Sequence, residues 1–206
     1  MPKVSEEHKS GRRDEIINAC AQLYKTMGFR EITLKEIGRV TSFSRPSIYN
    51  YFKTKEEIFL GLLTREYELW TGDIQEIIEQ NGSLSPEELA DQIAKSLEKR
   101  ENLLKISAMN LYEIEDNSSV ECLQQFKIAF RSALNAMCEC IDKFMPEKAV
   151  EKKSLIQYGL FPFTYGIYPY THPTEKQKMA MDAVGFEYKS ISVYEMSYRF
   201  LLQLFR

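Results

Sequence analysis

Apolar side chains recur at every third or fourth position along most of this chain, which is the spacing of one face of an α-helix. In the first such segment Ile16, Cys20 and Leu23 fall on one side, and the pattern ends at Gly28, a common residue after a helix. No segment alternates apolar and polar residues over a useful length, as a half-buried β-strand does. The pattern predicts an all-α protein.

Residues 33–58 predict two short helices, a tight turn and the start of a third helix. Thr33 and Glu36 form a capping box at the first start, and Ile37 and Val40 face inward. The polar residues that follow Val40 limit this helix to about two turns.

A second N-cap follows at Ser44, with Pro46 in the first turn, where a missing N–H breaks no hydrogen bond. The helix is predicted to reach Tyr51, with Ile48 and Phe52 on its buried side. Two short helices joined by a tight turn, the second with polar side chains near its start, form a helix-turn-helix that fits the DNA major groove.

A long helix is predicted next. Thr54 and Glu57 form another capping box, and the apolar pattern then continues without a breaker to Asn81-Gly82. A helix of about 25 residues spans roughly 37 Å. We expect it to act as a lever between two parts that have no flexible linker between them.

These residues resemble the N-terminal domain of the TetR family of bacterial transcriptional regulators. Beside the preceding helix with its Gly28-Phe29, the resemblance is carried by Thr33, Ile37, Gly38, Phe43, Ser44, Ile48, Tyr49, Tyr51, Phe52, Lys55 and Glu56. Two positions depart from the family pattern, because Ser42 stands where glycine is usual and Gly38 stands where an alanine-type residue is usual. A positive φ at Ser42 would cost on the order of 1 kcal/mol.

The charge distribution supports a DNA-binding end. Residues 1–56 hold 11 Lys and Arg against 7 Asp and Glu, a balance of +4, and the rest holds 16 against 23, a balance of −7. With this charge division, the resemblance implies a helix-turn-helix DNA-binding domain over 1–56 and a helical ligand-binding and dimerisation domain over 57–206.

The expected contacts to DNA follow from position in the resembling motif and from side-chain chemistry. They are Thr33, Ser44, Arg45, Pro46, Ser47, Tyr49, Asn50 and Lys55. Arg45 suits guanine, Ser47 and Asn50 suit base edges, and Tyr49 and Lys55 suit the phosphate backbone. The alternative, that aromatic rings here form the core, is expected for Phe52 and Tyr51 but not for Tyr49.

Further helices are predicted in the body, including one that Ser85-Pro86 starts and a long one that Pro146 ends. In the aromatic stretch 158–172, Pro162 is expected to kink a helix, and Pro169 and Pro173 are expected to end it. A last helix is predicted over 188–205. The resemblance implies that the last two major helices pair with those of a second subunit, which gives a homodimer.

The resemblance also implies a cavity for a small molecule. Candidates for its wall are Trp70, Met109, Tyr112, Phe126, Phe130, Phe161 and Tyr165. Aromatic residues at helical spacing are also typical of plain core, so that alternative stays open. An apolar or aromatic effector is expected.

Other classes of function find little support. Only His8 and His172 are present, and no phosphate-binding loop or nucleophile elbow occurs, so no enzyme, metal or cofactor is expected. Cys138 and Cys140 point about 200° apart on a helix and are read, with the other two cysteines, as reduced thiols.

The N-terminus gives a further set of expectations. It is polar, without a signal-peptide core or a run of about 18 apolar residues elsewhere, so we expect a cytoplasmic protein with no membrane contact. Residues 1–10 are expected to form a mobile arm, and Lys9, Arg12 and Arg13 either touch phosphate or form a solvated start.

The sequence thus predicts a homodimeric repressor that a small ligand releases from a near-palindromic double-stranded operator. The alternative is a DNA-binding protein of the same fold that a protein partner controls, or that no ligand controls.

Overall fold

The chain is helical throughout the part that the structure describes. The structure, a computed structural model, covers residues 6–206, with side chains for 10–147 and 149–206. The α-helices are α1 Glu6–Tyr24, α2 Leu34–Arg39, α3 Arg45–Ile48, α4 Lys55–Gln80, α5 Pro86–Glu98, α6 Glu101–Ser107, α7 Val120–Phe144, α8 Ala149–Leu155, α9 Phe161–Thr171, α10 Glu175–Ala183 and α11 Val193–Phe205. Two π-helical segments, Asn110–Glu115 and Ile156–Leu160, and a 3-10 turn, Pro146–Lys148, complete the list. None of the helices in residues 6–206 has the length and apolar character needed to cross a membrane.

The helix starts predicted after Thr33, Ser44 and Ser85 are confirmed. The Thr33 hydroxyl accepts a hydrogen bond from the Glu36 amide at 3.3 Å, and α2 begins at Leu34. Ser44 caps α3 in the same way, with Pro46 in its first turn. Ser85 starts α5 with a complete capping box. Each of these motifs lies within four residues of sequence, which explains why sequence alone located them.

Several helix ends differ from the prediction. Residues 6–10, expected in a mobile arm, belong to α1, and residues 1–5 lie outside the described residues. The first helix ends at Tyr24, four residues before Gly28. Helix α3 ends at Ile48, where a turn begins, rather than at Tyr51. Helix α11 begins at Val193, after its Ser192 cap, rather than at residue 188. Helix ends depend on where tertiary contacts stop, which periodicity does not reveal.

The two prolines of the aromatic stretch sit differently from their predicted places. Pro162 lies in the first turn of α9, where its missing N–H is tolerated, and a π-helical turn precedes it. Pro169 lies inside α9, which continues to Thr171. The expected kink at Pro162 is therefore a boundary between a π segment and an α-helix.

The chain forms two compact units. Residues 6–65 join residues 110–128 in the first unit, and residues 66–109 join residues 129–206 in the second. Helix α4 contributes 55–65 to the first unit and 66–80 to the second. In the second unit α5 packs along α11, and α6 packs along α9.

The core of each unit comes from the faces that the sequence pattern indicates. In the first unit the fully buried residues include Ile16, Cys20, Ile37, Ile48 and Phe52. In the second they include Leu89, Ile93, Leu97, Leu103 and Leu201. The inward orientation expected for Val40 is wrong, since this side chain is 49% exposed at the end of α2.

A buried carboxylate joins two helix starts in the first unit. Glu57 is 3% exposed and accepts hydrogen bonds from the backbone amides of Lys53 at 2.6 Å and Ser119 at 3.2 Å. These amides precede α4 and α7, so one negative charge lies at the positive ends of two helices. Thr54 caps α4 as expected, through the Glu57 amide at 3.1 Å.

The same contacts set the pKa of Glu57. Burial by itself raises the pKa of a carboxyl group, but the hydrogen bonds from Lys53 and Ser119 outweigh it and hold the pKa of Glu57 below its ordinary 4.5. The carboxylate therefore contributes stability above that pH, and the contribution is lost as the pH falls through the lowered pKa.

We expect Glu57→Gln to lower the free energy of unfolding at pH 7 by about 1–3 kcal/mol, because the amide turns an N–H group toward a buried N–H donor. The difference from the wild type should shrink as the pH falls below 4.5. Urea unfolding from pH 7 to pH 3 measures both effects. Glu68→Gln, an exposed position on the same helix, is the matched control. A pH-independent difference would contradict the assignment.

Candidate functional site

Helices α2 and α3 lie close together because Gly38 has no side chain. A Cβ atom on Gly38 would lie 3.3 Å from the carbonyl oxygen of Phe43 and 3.7 Å from the amide nitrogen of Arg45. The first of these distances is tighter than ordinary van der Waals contact. Because Gly38 has no Cβ atom, the backbone of the turn between α2 and α3 can lie against α2 at this position.

Side chains hold the turn between α2 and α3. The Thr41 hydroxyl donates to the carbonyl of Ile37 at 3.0 Å, and the Phe43 amide donates to that hydroxyl at 3.3 Å. The amide and hydroxyl of Ser42 donate to Oε1 of Glu15 at 3.0 and 2.8 Å. These two bonds, the amide bond first, lower the pKa of Glu15.

Ser42 does not have the positive φ that would strain it. Among the described residues only Gly185 has a positive φ, of 68°. Ser42 therefore adopts an ordinary backbone conformation, and its side chain gains a hydrogen bond that glycine does not offer.

The polar face expected on α3 is largely solvent-exposed. Arg45, Pro46 and Asn50 are exposed, and Tyr49 is 47% exposed. The Arg45 guanidinium lies 6.0 Å from the centre of the Tyr49 ring and donates to its hydroxyl at 3.4 Å. On the other side Ile48 is fully buried. The helix thus presents one cationic and several hydrogen-bonding groups to solvent.

The hydroxyl groups among the expected DNA contacts also have partners within the chain, besides the pair of Arg45 and Tyr49. The hydroxyls of Ser44 and Ser47 lie 2.8 Å apart. The Thr33 hydroxyl, besides capping α2, donates to the Glu36 carboxylate. These groups orient the helix starts as well as facing outward.

Lys55 is held at the start of α4. Its amino group donates to the carbonyl of Phe29 at 2.9 Å and lies 4.0 Å from the centre of the Phe29 ring. An ammonium group has three N–H donors, so donors remain for a further partner.

Two other residues near α3 belong to the core. Phe52 is 1% exposed, as expected, and the half-buried Tyr51 ring contacts Phe43 at 5.7 Å. Arg13 lies over the Phe52 ring at 4.3 Å and donates to the carbonyl of Tyr51 at 2.9 Å. Arg13 therefore fixes α1 against Tyr51 and Phe52, which follow α3 in the chain.

Several of the ligand candidates form an aromatic cluster in the second unit, which we define as Tyr67, Trp70, Phe130 and Phe161. The ring centres lie 5.4 Å apart for Tyr67 and Phe130, 5.8 Å for Trp70 and Phe161, and 4.9 Å for Phe130 and Phe161. Sequence reasoning missed Tyr67. Its position three residues before Trp70, on the same face of α4, was the signal.

Hydroxyl groups accompany the aromatic cluster. The indole N–H of Trp70 donates to the buried hydroxyl of Ser96 at 3.0 Å. The hydroxyl of Tyr67 lies among those of Ser107, Thr164 and Tyr165, and burial raises the pKa of Tyr67. The cluster therefore combines apolar rings with several groups that donate or accept hydrogen bonds.

The remaining ligand candidates are distributed differently. Met109 and Tyr165 are half-buried in the second unit, whereas Phe126 is buried in the first. Tyr112 is 88% exposed, so its proposed place in the wall of an enclosed cavity is wrong. It lies in the π segment, where the wider turn changes the face that helical spacing predicts.

The structure shows no candidate metal centre in residues 10–147 and 149–206, where no three His, Cys, Asp or Glu side chains gather. The four cysteines are free thiols. Burial raises the pKa of the Cys20 and Cys140 thiols to about 12, which keeps them protonated.

Comparison with known proteins gives two family matches that together extend over most of the chain. Residues 16–62 match the family described as bacterial regulatory proteins, tetR family. Residues 64–204 match the tetracyclin repressor-like C-terminal domain.

Curated relatives match in the N-terminal part. The HTH-type transcriptional regulator YfiR of Bacillus subtilis is 41% identical over 62 residues, which are 30% of each chain. An HTH-type transcriptional repressor of Mycobacterium tuberculosis is 29% identical over 68 residues, 33% of this chain and 36% of its own. The matched segments thus span about a third of the length of these relatives.

The fold extends the likeness to nearly the whole chain. The transcriptional regulator FadR of Bacillus subtilis, solved in complex with stearoyl-CoA, superimposes with a TM-score of 0.58 over 93% of this chain and 96% of its own, at 16% identity. With both domain families matched, the chain belongs to the TetR family of bacterial transcriptional regulators, and it is a regulator rather than an enzyme.

Proposed function

We propose that the protein is a homodimeric repressor that binds a near-palindromic DNA operator through α3 and is released by an apolar or aromatic small molecule. The observation that carries this proposal is the exposed face of α3, with Arg45, Tyr49 and Asn50 pointing away from the buried Ile48. A regulator of this kind works in the cytoplasm, where bacterial DNA lies.

The roles of the DNA contacts follow from their chemistry. Arg45 pairs with guanine O6 and N7, and Ser47 and Asn50 bind base edges. Tyr49 and Lys55 bind phosphate, and the anchored amino group of Lys55 loses little freedom on binding. Ser44, Thr33 and Pro46 set the helix starts beside the phosphate backbone.

The proposed operator is near-palindromic because the two-fold symmetry of a homodimer requires a matching symmetry in the DNA that it binds. The exposed aromatic rings Tyr158 and Tyr170, 73% and 70% exposed, lie on the helical segment that ends in α9. Aromatic side chains are enriched in protein interfaces. We propose that this segment and α11 form the contact with the second copy.

The repressor assignment is supported by the named repressor of Mycobacterium tuberculosis, whose match covers 33% of this chain. A ligand that favours the non-binding arrangement by roughly 1–3 kcal/mol would be enough to release DNA. We propose that it does so by displacing α4.

We propose the aromatic cluster as the ligand site. The structural neighbour FadR was solved with stearoyl-CoA, a long-chain acyl compound, which supports an apolar ligand here. The rings of the cluster supply an apolar wall, and the hydroxyls near Tyr67 orient one polar group of the ligand.

The contacts within the cluster favour a second candidate function. Its rings already touch one another at 4.9 to 6.2 Å, as in a filled core. A DNA-binding protein of the same fold that answers to a protein partner, or to no ligand, would need no cavity there.

Replacing Arg45 with Ala should weaken binding to the selected operator by about 5- to 150-fold, because one bidentate base contact is worth about 1–3 kcal/mol. Non-specific binding should change much less. Fluorescence anisotropy with operator and scrambled duplexes at fixed salt measures both. Arg131→Ala, which removes an exposed charge from α7, is the control. Equal losses on both duplexes would show that Arg45 contacts only the backbone.

For Lys55→Gln we expect the slope of log K against log salt to become shallower by about 0.9, the value for one lost phosphate contact. Titrations of operator DNA at several salt concentrations give the slope. Lys176→Gln on α10 removes the same charge at an exposed position of the second unit. An unchanged slope would show that Lys55 does not contact phosphate and that its amino group bonds only to the carbonyl of Phe29.

Trp70 is the single tryptophan of the chain and is fully buried in the cluster. A ligand that binds there should shift or quench its emission at the concentrations that release DNA. Screening acyl-CoA and aromatic compounds by fluorescence and anisotropy in parallel tests this. A compound that releases DNA while Trp70 emission stays constant would place the ligand site elsewhere.

A further inference from the structure

Helix α1 holds the turn before α3 at two places. Glu15 accepts both the amide and the hydroxyl hydrogen bond of Ser42. One helical turn earlier, the Arg12 guanidinium lies 5.2 Å from the centre of the Phe43 ring. Glu15 and Arg12, on one face of α1, thus contact two consecutive residues of the turn.

Support from outside matters here because α3 is very short. It has four residues, and an isolated helix of that length is unstable in water. Only Ile48 anchors it in the core among its own residues. The direction in which Arg45 and Tyr49 point therefore depends on how the preceding turn is fixed.

We propose that Glu15 is a positioning residue for DNA recognition, which through Ser42 sets the orientation of α3 in the major groove. This inference rests on the proposed DNA binding by α3. Glu15 itself makes no contact with DNA in this arrangement. Its contribution appears as discrimination between operator and other sequences, because a tilted α3 loses base contacts before it loses phosphate contacts.

Electrostatics alone predicts the opposite sign. A carboxylate near a DNA-facing surface repels phosphate, so neutralising it should tighten binding to any DNA. Asp14 carries the same charge on the next residue of α1 and is exposed. Comparing the two positions therefore separates positioning from simple repulsion.

The experiment begins by selecting a binding site for the wild-type protein from random DNA duplexes. The affinities of wild type, Glu15→Ala, Asp14→Ala, Ser42→Ala and Ser42→Thr are then measured on the selected and a scrambled duplex. We expect Ser42→Ala to weaken operator binding by about three- to tenfold, the loss of one hydrogen bond, and Glu15→Ala, which removes the acceptor of both bonds, to weaken it by at least as much. Neither should weaken binding to the scrambled duplex.

Three further results are expected. Ser42→Thr keeps the hydroxyl and should restore operator binding. Asp14→Ala should leave operator binding unchanged or tighter. The double variant Glu15→Ala with Ser42→Ala should lose less than the product of the two single losses, because both single changes break the hydrogen bond from the Ser42 hydroxyl to Glu15.

The contrary outcomes are distinct. If Glu15→Ala tightens operator binding as Asp14→Ala does, or if the two losses multiply, the positioning role is wrong although DNA recognition stands. If the wild type enriches no sequence, the proposed function fails first. Thermal unfolding of each variant, with Ser42→Thr as the folded reference, shows whether a loss of binding is a loss of folding.

Discussion

The first unit depends on one buried carboxylate. Glu57 lies where α4 and α7 both begin, and its two oxygens accept the amides of Lys53 and Ser119. Without it, two helix starts would leave unsatisfied N–H groups in the interior. Because Ser119 follows the π segment, this contact, with the bond from the Thr54 hydroxyl to the carbonyl of Asn117, holds residues 110–128 against the N-terminal helices.

The helix-turn-helix of the same unit is built from helices too short to be stable alone. Helix α2 has six residues and α3 has four, so their geometry comes from caps and neighbours. Thr33 and Ser44 fix the starts, Gly38 admits the turn, and Glu15 holds Ser42 from α1. The exposed face of α3 is therefore positioned by the helix caps, by Gly38 and by a contact from α1.

In the second unit the aromatic cluster packs as a core and is also the proposed ligand site. The rings of the aromatic cluster fill the space between α4, α7 and α9 with edge contacts, and Trp70 is further tied to α5 through Ser96. A ligand entering here has to move packed rings, and close-packed interiors transmit such displacements rather than absorb them. Because the cluster is close-packed, a displacement of its rings would also displace helix α4, which carries Tyr67 and Trp70.

The sequence by itself determined the all-helical class, the starts of the capped helices and the helix-turn-helix, because capping boxes and apolar periodicity act within a few residues. The exposed groups of α3 followed from the same local pattern. Tertiary structure alone decided that Glu57 turns to Ser119 and Glu15 to Ser42, partners 62 and 27 residues away. It also decided that Tyr67 joins the cluster and that Tyr112, in a π turn, faces solvent. Such contacts depend on which helices meet, and neither spacing nor residue type encodes that locally.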